Sequence, residues 1–256
     1  MEEHFKEEIT DKKLANAATE DQFERTRRVI GKPAIDKLNK ARVAVFGIGG
    51  VGGYVCEALV RSGIEHIDLI DSDKVVLSNI NRQIIATHST IGQDKVDVMT
   101  KRLHDINPNT DVKVYKMFFL PENADLFPWE EYDYVVDAID TVTAKIELVK
   151  RCDINGTPII SSMGTAGKLN PTMLQVSDIY KTKVCPLAKV MRKELRDRGI
   201  KSLKVVYSEE QPIHNQEDTA DINGKHVPGS VAFVPSVAGL IIAGEVVKDI
   251  IAIERK

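Results

Sequence analysis

The sequence predicts an α/β fold, with a Rossmann-like, mostly parallel sheet flanked by helices and a smaller C-terminal α+β portion. Three observations support this prediction. Short apolar runs alternate with helical repeats from about residue 25 to residue 160, which is typical of parallel βαβ units. A glycine-rich loop joins the first apolar run to the first helical repeat. The chain has 256 residues, of which 43% are hydrophobic, and this is enough to form one sizeable core.

The predicted elements follow in order from the first apolar run. Residues 43–46 predict the first strand, and apolar residues spaced at i, i+4, i+7 and i+8 from Val51 predict a helix that Gly63 ends. Residues 67–70 predict the second strand. The later elements of this region are a helix at 96–106, which ends before Pro108, strands at 112–115, 134–139 and 158–162, and a short helix at 144–151.

The alternation weakens after residue 165. Strands are predicted there at 173–176 and 205–207, and a helix at 187–198. The segment from Val231 to Ile253 is apolar enough to raise the question of a membrane span, but a proline and three charged residues interrupt it, so no stable span is expected. We divide the chain into an acidic N-terminal extension at 1–24, a Rossmann-like region at 25–165 and a C-terminal region at 166–256 packed on the same domain.

The overall charge excludes few functions, whereas the cysteines exclude several. The chain has 35 Lys and Arg against 38 Asp and Glu, so its net charge of −3 requires neither a nucleic acid nor an anionic membrane as a partner. The three cysteines, Cys56, Cys152 and Cys185, form neither a disulfide framework nor a CxxC pair. We therefore expect a cytoplasmic protein without a zinc site.

The glycine-rich loop GIGGVG predicts a nucleotide site. Gly47, Gly49, Gly50 and Gly52 follow the first strand and open the first helix, where the backbone can approach a phosphate and the helix supplies N–H donors. Asp71 ends the second strand, where a Rossmann fold places a carboxylate on the ribose hydroxyls. This pattern fits NAD, FAD or ATP, and the alternative is a glycine turn near a surface acid.

An amide-rich, cationic loop after Asp71 favours a triphosphate among these ligands. It contains Asn79 and Arg82 and leads to Lys95 in the first turn of the next helix. A helix dipole disfavours a cation at that position, so we expect an anion nearby. Two cations opposite a glycine loop suit the charge that develops on the α-phosphoryl group and the leaving pyrophosphate. The alternative is that both bases are simply exposed to solvent.

Two aspartates after the fourth strand, Asp137 and Asp140, suggest a magnesium site. They lie at the carboxyl edge of the predicted sheet, and Mg²⁺ usually takes one or two protein carboxylates together with phosphate oxygens. Either residue could instead cap the following helix. Arg28 and its neighbours precede the first strand, and one of these arginines could reach a phosphate, although a basic face of an N-terminal helix also explains Arg25 and Arg27.

Together these motifs resemble the adenylyltransferases of the ubiquitin-activating type, the ThiF, MoeB and HesA superfamily. The motifs are GIGGVG, the acid of LIDSD, SNINRQ, the lysine of GQDK and VVDAID. The resemblance implies the adenylation fold of this superfamily, a homodimer, and ATP binding and adenylation by residues 25–165. It implies that Asp71 binds ribose beside Asp73 and Asn79, that Arg82 and Lys95 contact phosphates, that Asp140 is linked to Mg²⁺, and that Arg28 completes the site of the partner subunit.

The C-terminal third separates members of this superfamily. The chain lacks the CxxC pairs that are common in activators of sulfur-carrier and ubiquitin-like proteins. Its stretches GTAGKLNPTMLQVSDI and GSVAFVPSVAGLIIAGEVVKDI resemble the tRNA threonylcarbamoyladenosine dehydratases of the TcdA, or CsdL, type. This resemblance implies ATP-dependent cyclisation of that nucleoside through a carboxyl-adenylate, and a sulfur-relay or cysteine desulfurase-type partner. The alternatives are activation of a sulfur-carrier or ubiquitin-like protein, a non-enzymatic nucleotide-binding partner and an NAD oxidoreductase.

A basic stretch from residue 181 to residue 204 favours a nucleic-acid substrate. It contains nine Lys and Arg against Glu194 and Asp197. In the predicted helix, Leu187, Val190, Met191 and Leu195 form an apolar face, and the phosphate-binding candidates on the other side are Lys189, Arg192, Lys193 and Arg196. A solvated basic face is the alternative.

Three further side chains have possible chemical roles. Cys185 could act as a nucleophile, although a small buried apolar residue near a helix start is the stronger interpretation. His214 and His226 flank an acidic loop and could act as acid or base groups.

Overall fold

The computed structural model describes residues 21–213 and 229–252, and its centre is one sheet. The strands are β1 (Arg42–Phe46), β2 (His66–Ile70), β3 (Asp111–Tyr115), β4 (Tyr134–Asp137), β5 (Ile159–Ser162), β6 (Leu174–Asp178) and β7 (Lys204–Ser208). Their order is β3-β2-β1-β4-β5-β7-β6. All neighbouring strands are parallel except β6, which pairs antiparallel with β7. The predicted mostly parallel α/β fold is confirmed.

Helices cover both faces of this sheet. They are α1 (Glu24–Ile30), α2 (Lys32–Lys40), α3 (Gly52–Ser62), α4 (Lys95–Ile106), α5 (Val142–Asn155), α6 (Pro186–Asp197) and α7 (Phe233–Ile251). The alternation within β1 shows why two layers form. Val43 and Val45 pack into the core with α3, whereas Ala44 and Phe46 pack on the other face with Trp129. Because β1 is buried on both faces, it is apolar along its length.

The strand order creates a crevice above the centre of the sheet. The chain runs from β1 outward through β2 to β3 and then returns to β4 on the other side of β1. Ligands of open α/β sheets bind outside the carboxyl ends of the strands at such a reversal. The loops after β1, β2, β3 and β4 therefore meet in one place, and the sequence motifs lie in these loops.

The apolar C-terminal segment is a core helix. Within Val231–Ile253, the structure forms α7, and Ala238, Ile242 and Val246 are fully or almost fully buried against the sheet and α3. At Gly239 an added Cβ would lie 2.5 Å from the carbonyl oxygen of Val51, so the two helices are in close backbone contact. Among the residues that the structure describes, no helix is long and apolar enough to cross a membrane.

Several predicted details differ from the structure. The helix predicted as short at 144–151 runs from Val142 to Asn155. The fourth strand ends at Asp137 rather than at Ile139, because the Asp137 side chain accepts the Ile139 N–H and turns the chain. On α6, Val190 does not belong to the apolar face: it is 45% exposed, while Met191 and Leu195 are buried. The helix needs only a narrow buried stripe because it packs on the sheet edge with its outer side in solvent.

Candidate active site

A cavity of about 510 Å³ lies at the carboxyl ends of β1, β2, β3 and β4. It is bounded by the loops after β1 and β2, the segment after β3, the turn after β4 and the region before α7. The candidate residues that line it are Gly47, Gly49, Gly50, Asp71, Asp73, Asn79, Arg82, Lys95 and Asp140. Residues from five separate segments therefore meet in one place, as the motifs predicted. Gly52 and Arg28 are not among the lining residues.

The glycine loop leaves no room for side chains at two positions. Gly47 has a positive φ of 91°, and a Cβ there would lie 2.7 Å from the carbonyl oxygen of Ala138. At Gly52, the first residue of α3, a Cβ would lie 1.8 Å from the carbonyl oxygen of Gly47. The loop is therefore folded back on itself and packed against the turn after β4. This brings the start of α3 to the cavity wall.

Gly47→Ala is expected to lower the free energy of unfolding by about 2 kcal/mol, because a non-glycine residue in this backbone region is strained and its Cβ meets the Ala138 backbone. We also expect nucleotide affinity to fall at least about tenfold, since the loop must move. Thermal unfolding and nucleotide titration measure both effects. Gly244→Ala is the matched control, because nothing lies within 4 Å of its Cβ position in α7. Equal losses in both variants would contradict the packing argument.

Asp71 organises the turn at the end of β2 and faces the cavity. One carboxylate oxygen accepts the Ile48 N–H at 2.7 Å, and the other accepts the Asp73 N–H at 2.8 Å. Burial raises the pKa of Asp71, while the charge of Lys95 and these two N–H donors oppose the rise. Asp71 thus connects the second strand to the glycine loop.

The anion expected near Lys95 is the carboxylate of Asp73. The Lys95 side chain is almost fully buried, and its Nζ lies 2.7 Å from Asp73 Oδ2. The backbone N–H of Lys95 also donates to the carbonyl oxygen of Asp73. Asp73 is half exposed and lines the cavity. The pair therefore holds the ammonium group at the cavity wall, where a bound phosphate would compete with Asp73 for it.

The loop with Asn79 and Arg82 is held by its own polar groups. Asn79 is buried, and its side-chain oxygen accepts the Val76 N–H. Arg82 Nη1 donates to the Ser78 carbonyl and to the Asn81 side chain. The neighbouring Gln83 is buried at the cavity wall, and its Oε1 has no hydrogen-bond partner among the described residues. Gln83 belongs, with Asn79, Asn81 and Arg82, to the amide-rich, cationic loop predicted from the sequence.

An apolar wall of the cavity was missed by the sequence analysis. Met117, Phe118, Phe119 and Leu120 follow β3 directly and line the side of the cavity beyond Asp71. The signal was present as an apolar run at the carboxyl end of a strand. It was not distinctive, because such a run also fits the continuation of a strand.

The two aspartates after β4 have different environments. Asp140 is exposed in the turn at the cavity. Asp137 is fully buried and forms an ion pair with Lys145, so the suggestion that it faces a metal is wrong. Within residues 21–213 and 229–252, no group of three or more His, Cys, Asp and Glu side chains is arranged to hold a metal ion.

Arg28 lies outside the cavity of its own chain. It is on the exposed α1 and forms an i,i+4 ion pair with Glu24. Arg27 of the same helix pairs with Asp21, which precedes the helix, and α1 buries none of its side chains.

Three of the four candidate residues on the basic helix α6 are exposed, and one of these three, Arg196, also contacts an aromatic ring. Lys189 and Lys193 are exposed. Arg192 is half-buried and donates to the carbonyl and hydroxyl oxygens of Thr182, so it does not lie wholly on the outer side as predicted. The Arg196 guanidinium lies over the ring of Tyr180 at 5.6 Å. These contacts fix the two arginines while leaving the face basic.

Cys185 is buried in the core beside Ala188 and Met191, as a small apolar residue at a helix start. Cys56 and Cys152 are likewise buried and free. His214 and His226 lie outside the described residues, as does most of the acidic N-terminal extension.

Comparisons with known proteins found similarity over most of the chain. A family model described as the ThiF family matches residues 23–256. The tRNA threonylcarbamoyladenosine dehydratase of Bacillus subtilis is 47% identical over 240 residues, which cover 90% of this chain and 94% of that protein. The crystal structure of the Escherichia coli tRNA N6-threonylcarbamoyladenosine dehydratase in complex with AMP has a TM-score of 0.84 and 35% identity, covering 90% of this chain and 94% of that chain. The ATP complex of the same protein has a TM-score of 0.83.

Proposed function

Because this chain belongs to the ThiF family, we propose that it is an ATP-dependent tRNA threonylcarbamoyladenosine dehydratase, which closes the threonylcarbamoyl group of this nucleoside into a ring. The similarity to dehydratases over about nine-tenths of the chain supports this function. The observation that carries it is the cavity, where the glycine loop, the half-buried Asp71, two cations and an exposed carboxylate meet. We place the reaction in the cytoplasm. Its tRNA substrate would be found there, and the three free cysteines would stay reduced.

ATP would lie in the cavity in one orientation, with its adenine toward β3 and its phosphates toward the glycine loop. The adenine would lie against the apolar wall after β3, and the ribose beside Asp71. The phosphates would then cross the glycine loop, within reach of Arg82 and Lys95. This direction follows the order of the strands, since β2 lies between β3 and β1.

The reaction needs no nucleophile from the protein. The threonyl carboxylate attacks the α-phosphorus, the bond from that phosphorus to the bridging oxygen breaks, and pyrophosphate leaves. The carbamoyl group then attacks the activated acyl carbon, loses a proton as the ring closes, and AMP leaves. Arg82 and Lys95 stabilise the charge that develops on the phosphoryl oxygens. The buried state of all three cysteines agrees with this route.

Asp140 fits a magnesium ion bound mainly by ATP. It offers one exposed carboxylate at the cavity, and Mg²⁺ in nucleotide sites commonly takes one or two carboxylates beside phosphate oxygens. The ion would neutralise charge on the phosphates. Asp140 would hold the magnesium ion next to the turn after β4.

A homodimer with shared sites explains why Arg28 lies outside its own cavity. We expect inactive Arg28→Ala and inactive Asp140→Ala proteins to recover activity when mixed, because a mixed dimer contains one site with both residues intact. The expected recovery is about a quarter of wild-type activity if subunits exchange at random, since half of the dimers then carry one working site of two. Arg25→Ala, on the same helix, is the control and should remain active alone. Proven subunit exchange without recovery would contradict the sharing.

Mass spectrometry of tRNA nucleosides tests the function directly. The protein is incubated with ATP and tRNA that carries threonylcarbamoyladenosine, and the nucleosides are analysed before and after. We expect a product lighter by one water, formed only with ATP, together with pyrophosphate and AMP. The alternative activation of a sulfur-carrier protein would instead give pyrophosphate exchange that depends on a small protein with a Gly-Gly tail, and unchanged tRNA. That result would overturn the proposal.

A further inference from the structure

A buried ion pair joins β4, β5 and α5 beside the cavity. Lys145 Nζ lies 2.9 Å from each carboxylate oxygen of Asp137 and 3.3 Å from Ser161 Oγ. The Ser161 hydroxyl also donates to Asp137 Oδ2. All three side chains are fully buried. We refer to Asp137, Lys145 and Ser161 as the buried cluster.

The buried cluster encloses the turn that carries Asp140. Asp137 is the last residue of β4 and is paired in register with Ser161 of β5, while Lys145 lies in the first turn of α5. Residues 138–141, which follow Asp137 directly in the chain, line the cavity. Asp137 Oδ1 accepts the Ile139 N–H at 3.2 Å, which fixes the first part of this turn. On its other side, the carbonyl of Ala138 packs against Gly47, so the turn is held between the buried cluster and the glycine loop.

Stability alone does not explain a buried charge pair at this position. Removing two charges from water offsets most of the attraction between them, and well-packed apolar residues are often as stabilising. A cation near the N-terminal end of a helix is also disfavoured by the helix dipole. The charge pair adds hydrogen bonds, which are directional. These bonds define one position for the Asp137 carboxylate and, through that carboxylate, one position for the Ile139 amide. Apolar side chains would not do this.

We propose that the buried cluster positions the turn at 138–141, so that Asp140 meets the phosphates of ATP, and that Lys145 is a positioning residue for adenylation. This inference rests on the proposed function. Lys145 is fully buried and does not line the cavity, so it acts only through Asp137 and the turn. A shift of about 1 Å in a positioning group can cost on the order of 10²-fold in rate. The effect should fall on kcat, because the glycine loop and Asp71, which hold the nucleotide, stay in place.

The test replaces the buried cluster by apolar residues of similar size, Lys145→Met, Asp137→Leu and Ser161→Ala together. We expect kcat to fall by about 10- to 100-fold while KM for ATP changes by less than about threefold. Hydrogen exchange of the Ile139 amide should become faster, because its acceptor is gone. The matched control is Arg42→Met with Asp68→Leu, which removes another ion pair, in which Asp68 is buried and Arg42 is mostly buried, and whose side chains do not line the cavity. In the control, kcat and Ile139 exchange should stay at wild-type values.

Ser161→Ala keeps the charge pair and provides a milder variant if the triple variant does not fold. It should give a smaller fall in kcat and a smaller rise in Ile139 exchange. Wild-type kcat and wild-type Ile139 exchange in a folded variant of the buried cluster would overturn the proposal, as would an equal loss of kcat in the control. If the wild-type protein forms no cyclic product, the proposed function fails, and Ile139 exchange alone still decides whether the cluster positions the turn.

Discussion

Asp140→Asn is expected to lower ATP-dependent cyclisation at least about 100-fold while the melting temperature stays within about 2 °C of the wild type. The carboxylate is exposed at the cavity and makes only one weak contact, with the neighbouring Thr141 hydroxyl, among the described residues. Its charge therefore contributes little to folding. Loss of one group that stabilises charge in a transition state typically costs 10²- to 10³-fold in rate, or about 3 to 4 kcal/mol. A surface substitution usually changes stability by less than about 0.5 kcal/mol.

Lys95→Ala should give a comparable loss by removing the cation on the other side of the phosphates. This variant also leaves Asp73 without its partner, so a modest fall in melting temperature is expected as well. Lys101→Ala on the same helix and Asp153→Asn on α5 are matched controls, because both residues are exposed and neither lines the cavity. The measurements are pyrophosphate release with modified tRNA and thermal unfolding. Full turnover in either site variant would remove that residue from the mechanism.

The parts of the site that the sequence predicted are those that local spacing determines. A glycine loop between a strand and a helix, and an acid at the end of the next strand, are each defined within a few residues. The sheet then brings them together, because parallel strands place their carboxyl ends at one edge. The Ile48 to Asp71 hydrogen bond, which joins two motifs 23 residues apart, is a direct result of this pairing.

The parts that the sequence did not predict depend on contacts between distant elements. Asp137 and Asp140 are equally good ligands in the sequence, and only the burial of Lys145 and Ser161 against Asp137 separates them. The apolar wall after β3 lines the cavity because β3 lies beside β2 in the sheet, a position that local spacing does not determine. Val190 has the spacing of a core residue, yet it is exposed because α6 lies at the outside of the fold. The periodicity of apolar residues predicts which face of a helix is buried. It does not predict how wide a part of that face the neighbouring elements cover.

Neutralising the basic face of α6 should weaken tRNA binding without affecting ATP binding. In the variant, Lys189, Arg192, Lys193 and Arg196 are replaced by Gln. Each phosphate contact releases counterions from the nucleic acid, so its loss flattens the dependence of log affinity on log salt by about 0.7 to 0.9 units. Four lost contacts would flatten it by about 3 units. Affinity at moderate salt should fall about tenfold or more, and by similar amounts for different tRNAs, because phosphate contacts do not read sequence.

The structure divides the four residues into two pairs with different contacts, so the two pairs have different expected effects. Lys189 and Lys193 are exposed, so Lys189→Gln with Lys193→Gln should produce about half of the flattening expected for all four replacements, with no loss of stability. Arg192 and Arg196 also hold Thr182 and Tyr180, so their replacement should lower the melting temperature as well. Lys37→Gln with Lys40→Gln on α2 removes the same charge from a helix whose residues do not line the cavity, and should leave the slope unchanged. Titration of labelled tRNA at several salt concentrations measures all three. An unchanged slope in the Lys189 and Lys193 variant would exclude α6 from the tRNA interface, because these two lysines have no other described role that would mask a lost phosphate contact.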